Sequence, residues 1–157
     1  MTNKTKVFLI YFLTLVGIFF WLGAIFLAPY LKSQSSALNN FIYAMFSAVC
    51  HQNPARSFFA FGYPFSVCSR CFGIYFGFLA GTFLFPLLKS FRNVSLPKVN
   101  IFFLFSMPIL VDAAGNLFSI WVTFGWLRFL FGFIWGFILP FYLITGLIDF
   151  FVVKKVP

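Results

Sequence analysis

Apolar and polar positions alternate along this chain in long blocks rather than at the periods of a soluble fold. Val7 to about Ala28 is a nearly unbroken apolar run, preceded by Lys4 and Lys6 and followed by Pro29 and Tyr30. A bilayer needs about 20 apolar residues per helical span, so this run predicts a first transmembrane helix ending near Pro29. At 21 residues to Leu27 it is longer than the h-region of a cleaved signal peptide. Residues 31–40 are polar and predict a loop. Phe41 to Val49 is apolar but nine residues long, too short to cross; Ala37 to Val49 therefore predicts an interfacial or re-entrant helix. Asn53-Pro54 and Gly62-Tyr63-Pro64 interrupt the chain. Further spans are predicted over about 68–88, 101–120 and 126–153, with Lys89, Arg92, Lys98 and Pro97 between the second and third and a turn near Thr123–Gly125 between the third and fourth. The expected fold is one all-α domain over residues 1–157, an integral membrane four-helix bundle with one short re-entrant or interfacial helix.

Composition agrees. Hydrophobic residues make up 62% of the 157 and charged residues 8%, with 29 phenylalanines; a soluble domain carries about 25% charged residues. The net charge of +9 does not point to nucleic acid, because the basic residues form neither a run nor a face. They flank the spans, as expected for orientation and contact with anionic lipid. With the N-terminus inside, Lys4, Lys6, Lys89, Arg92, Lys98, Lys154 and Lys155 are cytoplasmic, seven in all, against Lys32, Arg56 and Arg70 outside. A fifth crossing at 41–49 would reverse that bias, so the positive-inside rule favours four spans in the cell membrane with both termini cytoplasmic.

Glycines add a packing expectation. Gly73, Gly77 and Gly81 recur every four residues on the second span, and Gly132 and Gly136 do so on the fourth. Small residues at this spacing let helix backbones approach closely in lipid.

The candidate chemistry is concentrated in one stretch. Cys50, Cys68 and Cys71 are all the cysteines of the chain, and His51 is its one histidine. In a helix starting at Cys68, the residues Cys68, Cys71 and Tyr75 share one stripe and the glycines face away. A helix N-terminus favours thiolate over thiol. Cys50, His51, Cys68 and Cys71 together make a Cys₃His set, which suits a tetrahedral zinc site; Asp112 or water is the fourth ligand if His51 does not reach, and an open fourth position makes such a site catalytic. Two other readings stand beside it. Outside the cytoplasm a C-x-x-C pair suits a thiol–disulfide oxidoreductase, and the outline resembles the quinone-linked disulfide-forming membrane proteins, although those use two cysteine pairs and this chain lacks the fourth cysteine. Alternatively the cluster only staples the 50–70 loop to the second span.

Asp112 and Arg128 are charges inside predicted spans, which places them on the protein interior. A hairpin turning near Thr123 brings them to similar depth. They are expected either to pair with each other or to line a polar cavity beneath the cysteines. In the second case Arg128 binds an anionic or phosphate-bearing group of a lipid or other membrane-embedded substrate, Asp112 serves as a base or distal ligand, and Arg56 and Arg70 add positive charge at the mouth. Tyr75 is a further candidate on the cysteine stripe.

The pattern C-H-Q-x-P-x-R-S followed by C-x-R-C-x-G-x-Y-x-G, carried here by Cys50, His51, Gln52, Pro54, Arg56, Ser57, Cys68, Arg70, Cys71, Gly73, Tyr75 and Gly77, resembles the domain of unknown function 2085 family of small prokaryotic membrane proteins. That family's later signature is similar to Pro108, Asp112, Arg128, Gly132 and Gly136, with Ala113 where a glycine is expected. The resemblance implies a polytopic membrane protein and no particular activity.

Overall fold

The computed structural model describes residues 3–88 and 96–153; the expected inner-side residues Lys89, Arg92, Lys154 and Lys155 lie outside them. The protein is an all-α bundle. Four of its helices are long and apolar enough to cross a membrane. We number them α1 (Asn3–Ser33), α3 (Ser69–Leu88), α4 (Val99–Leu117) and α5 (Gly125–Ile148), the last running on as a π-helical turn over Asp149–Val153; the short helix α2 is Leu38–Ser47. Phenylalanines and leucines on the outer faces, such as Phe20, Leu87, Leu104 and Leu130, are exposed. That is the arrangement of a protein whose solvent is lipid.

Two helix ends differ from expectation for the same reason. Pro29 does not end α1, which continues to Ser33. The helix stops where Ser35 takes φ +52 and the amides of Ser35 and Ser36 turn back to the carbonyls of Lys32 and Leu31, a left-handed C-terminal cap of the Schellman type. In α4 Ser119 takes φ +56 and Ile120 N–H returns to Gly115 C=O, so this helix ends at Leu117 rather than at residue 120. Serine caps are weaker sequence signals than glycine.

The segment between α2 and α3 is more ordered than a loop. Asn53 caps a 3-10 turn at Pro54–Arg56 through its side chain to Ala55 N–H. Phe59–Ala60 then pairs antiparallel with Tyr63–Pro64. Phe61 and Gly62 both have positive φ, +53 and +80, which is the two-residue type I′ turn of a tight hairpin. Tyr43 of α2 donates its hydroxyl to Pro64 C=O, and Lys32 lies over the rings of Tyr43 and Tyr63 at 5.0 and 5.4 Å. The hairpin is thereby tied to α2 and to the C-terminal end of α1.

The axis of the bundle is the pair α3 and α5. A Cβ at Gly73, Gly77 or Gly81 would collide with the backbone carbonyl of Phe129, Phe133 or Phe137 respectively; at Gly132 and Gly136 it would collide with those of Arg70 and Ile74. The expected glycine faces thus meet each other. Contacts that advance together along both helices mean that α3 and α5 run parallel, with their N-termini side by side. Close approach of this kind replaces the hydrophobic driving force that lipid removes. Against this pair α1 packs antiparallel, Trp21 meeting Tyr75 and Phe26 meeting Phe72, while α4 is fixed to α5 by Trp135 Nε1–H donating to Ser106.

Candidate metal centre and adjoining polar cluster

The three cysteines converge because several backbone turns are locked together. Cys50 N–H closes the end of α2 on Phe46 C=O at 3.0 Å. Gln52 then takes φ +51 while its amide nitrogen donates to Tyr43 C=O at 2.6 Å and Ser66 C=O at 2.9 Å. One side chain therefore ties the Cys50 turn to α2 and to the buried segment 65–67 that leads into α3. Cys68 stands just before α3, where its carbonyl accepts from Phe72 N–H, and Cys71 follows one turn later.

The sulfurs of Cys50, Cys68 and Cys71 all lie within 4.8 Å of one another, and all three are free thiols. Cys50 is buried, and its Sγ accepts the backbone N–H of Cys68 at 3.1 Å and of Gln52 at 3.5 Å. Donors aimed at sulfur stabilise its anion. The Cys68 and Cys71 thiols, followed by these two amides, hold the Cys50 pKa far below that of an ordinary thiol, while Cys68, whose proton serves Cys50, is pushed up.

This set fits a soft divalent ion. Zinc–sulfur bonds of about 2.3 Å in a tetrahedron put sulfurs about 3.8 Å apart, so a spread of up to 4.8 Å closes by small side-chain rotations. Thiolates select zinc over oxygen-loving cations.

The fourth ligand expected from the sequence is absent from the group. His51 is exposed, because Cys50 turns inward and its chain neighbour faces out. Asp112 is engaged elsewhere. Among the described residues no other His, Cys, Asp or Glu joins the three sulfurs. Tyr75 lies one turn beyond Cys71, its ring edge-on to Trp21 at 5.7 Å.

The membrane charges sort differently from the expected Asp112–Arg128 pair. Asp112, 2% exposed, forms its ion pair with Arg70 of α3 and also accepts from Asn116 at 3.0 Å and from the Thr123 hydroxyl. Three donors leave this carboxylate no role as a free base. Arg128 instead bonds neutral acceptors, Thr123 C=O through Nε at 3.0 Å and Asn116 Oδ1 through a terminal nitrogen at 2.5 Å. Arg56 is exposed and lines, with Arg128, a cavity of about 230 Å³ at the start of α5.

The description "Predicted membrane protein (DUF2085)" matches residues 50–142. The chain belongs to the DUF2085 family. The matched stretch starts at Cys50 and contains the three thiols, Asp112 and Arg128, leaving α1 and α2 outside. An uncharacterised protein of the archaeon Methanocaldococcus jannaschii is 38% identical over 140 residues, 85% of this chain and 90% of its own length. One from Methanothermobacter thermautotrophicus is 33% identical over 75 residues, covering 46% of this chain and 63% of its own. No solved structure matches the chain.

Within this DUF2085 protein, Gln52 and Thr123 are the structural parts whose contacts sequence reasoning does not show. Gln52 stands in the family pattern, but nothing in a single sequence shows that it would take a left-handed backbone and bridge two carbonyls. The sequence reading puts Arg70 at the mouth of the site; its position in the first turn of a membrane helix is the available sign that it shares a depth with Asp112.

Proposed function

We propose that this membrane protein holds a zinc ion on the thiolates of Cys50, Cys68 and Cys71, with the fourth position open to water or to a ligand from outside. The observation that carries the proposal is the convergence of three free sulfurs within 4.8 Å, one of them already receiving two backbone N–H groups. Amide donors to sulfur orient a thiolate ligand as outer-shell partners do in metal sites generally. Bound zinc would supply an activated water or a Lewis acid for a membrane-embedded substrate. Gln52 holds the Cys50 turn in place, and Trp21 and Tyr75 close one apolar side.

The same reading includes an orientation in the cell membrane. The basic residues Lys4, Lys6 and Lys98 sit at the end opposite the cysteines, and the positive-inside rule puts that end and both termini in the cytoplasm, with the metal centre at the outer surface.

The test is elemental analysis of protein purified without chelator. About one zinc per chain, lost in Cys50→Ser, Cys68→Ser and Cys71→Ser, is the expected result. Metal-free protein that stays metal-free on zinc titration, with all three thiols open to alkylation, sinks the proposal. The depressed pKa of Cys50 and its nearness to two other thiols also suit a thiol–disulfide oxidoreductase. That reading gains if mass spectrometry finds a cycling disulfide among the three and no metal. A centre that only staples the 50–70 loop would bind zinc and lose stability, but no other property, when the metal is removed.

A further inference from the structure

The polar cluster beside the thiols contains more positive charge than its own groups neutralise. Asp112 is the one acidic residue in it, and Arg70 takes that charge. Arg128 is 4% exposed and meets only the neutral acceptors of Thr123 and Asn116, which use two of the five N–H donors of a guanidinium. A buried cation without a counter-charge costs several kcal/mol unless something compensates.

The cavity of about 230 Å³ next to Arg128 is where compensation fits. Arg56, Arg128, Asn116, Thr123 and Gly125 line it. Gly125 opens α5, whose first turn has no side-chain cap, so the N–H groups there are free of side-chain acceptors. The Ser69 hydroxyl, 1% exposed, has no hydrogen-bond partner and lies 4.0 Å from a Cβ built on Gly125. Because α3 and α5 run parallel, the positive ends of two helix dipoles meet at this point.

We propose that this cavity binds a phosphate group, with Arg56 and Arg128 on its oxygens and the Ser69 hydroxyl and the first amides of α5 completing the cradle. Two guanidinium forks match a multi-oxygen dianion; the site does not depend on the metal reading. Lipid headgroups and soluble phosphate compounds share this chemistry.

Arg56 is the residue to change, since it is exposed and its replacement leaves the buried network intact. Protein purified in phosphate-free detergent is titrated calorimetrically with inorganic phosphate and, separately, with short-chain phosphatidic acid, using chloride at equal ionic strength as control. The expected result is saturable binding of at least one probe that Arg56→Gln weakens by at least about tenfold and Arg56→Lys by less. Binding of inorganic phosphate alone assigns the site to soluble phosphates, binding of phosphatidic acid alone assigns it to a lipid headgroup, and binding of both assigns it to the phosphate group they share. Binding of neither, or binding that Arg56→Gln leaves unchanged, overturns the proposal.

Discussion

Arg70 reaches across from the first turn of α3 to donate to the carboxylate of Asp112, 42 positions further along the chain. The pair joins α3 to α4, two helices with little other contact, through Asp112 at 2% exposure. Asp112→Asn keeps the shape but leaves Arg70 without its counter-charge. Loss of one member of a buried pair costs about 3–5 kcal/mol, so this variant is expected to unfold at markedly lower denaturant or temperature in detergent. The double change Arg70→Met, Asp112→Leu removes both charges and is expected to recover a large part of that loss.

The parallel α3–α5 contact makes a second prediction with its control built in. Gly77→Ala sets a Cβ against the carbonyl of Phe133, and Gly136→Ala sets one against that of Ile74, whereas Gly17 and Gly146 have open space at the same point. Overpacking of this kind costs about 1–3 kcal/mol. Thermal unfolding in detergent should therefore separate Gly77→Ala and Gly136→Ala from Gly17→Ala and Gly146→Ala, the latter two remaining close to the parent.

Protons compete with zinc for the thiolates, and the sign follows from the pKa directions. The folded pKa of Cys50 is depressed below that of an ordinary thiol and that of Cys68 is raised. The stability contributed by the Cys50 thiolate is fully present above the ordinary thiol range and is lost as pH falls through its depressed value. At neutral pH Cys50 has therefore already lost its proton, while Cys68 keeps its own. Each zinc ion bound should displace about two protons rather than three, and zinc affinity should fall about a hundredfold per pH unit as pH decreases. Competition titrations with a chromophoric chelator between pH 6 and 7.5 measure that slope; a slope near three would show that Cys50 enters as a thiol.

Gln52 offers a test of the scaffold around the sulfurs. Gln52→Ala removes the donors to Tyr43 and Ser66 and places alanine at φ +51. Gln52→Gly removes the same donors without the backbone strain. Both are expected to weaken zinc binding about 10–100-fold, the usual effect of losing an outer-shell partner, and alanine is expected to lower the melting temperature further than glycine. Unchanged zinc affinity in both variants would mean that the Cys50 turn holds its shape by other contacts.

The sequence by itself determined the lipid environment, the four spans, the short helix before Cys50, the glycine faces of α3 and α5 and the stretch in which the thiols gather. These are properties of one helix or one run at a time, set by length, hydropathy and period, and they need no knowledge of neighbours. The tertiary structure alone decided which groups meet. Asp112 and Arg128 have the right depth to pair, but depth does not set azimuth, and Asp112 turns to Arg70 instead. His51 is adjacent to Cys50, yet one residue of backbone rotation puts it in solvent. The same holds for the convergence of Cys50 with Cys68 and Cys71, which depends on a left-handed residue at Gln52 and two carbonyls it bridges. Contacts between helices depend on the rotation of each about its own axis, and that rotation is settled by glycine-to-carbonyl packing between α3 and α5, a relation that exists only once both helices are in place.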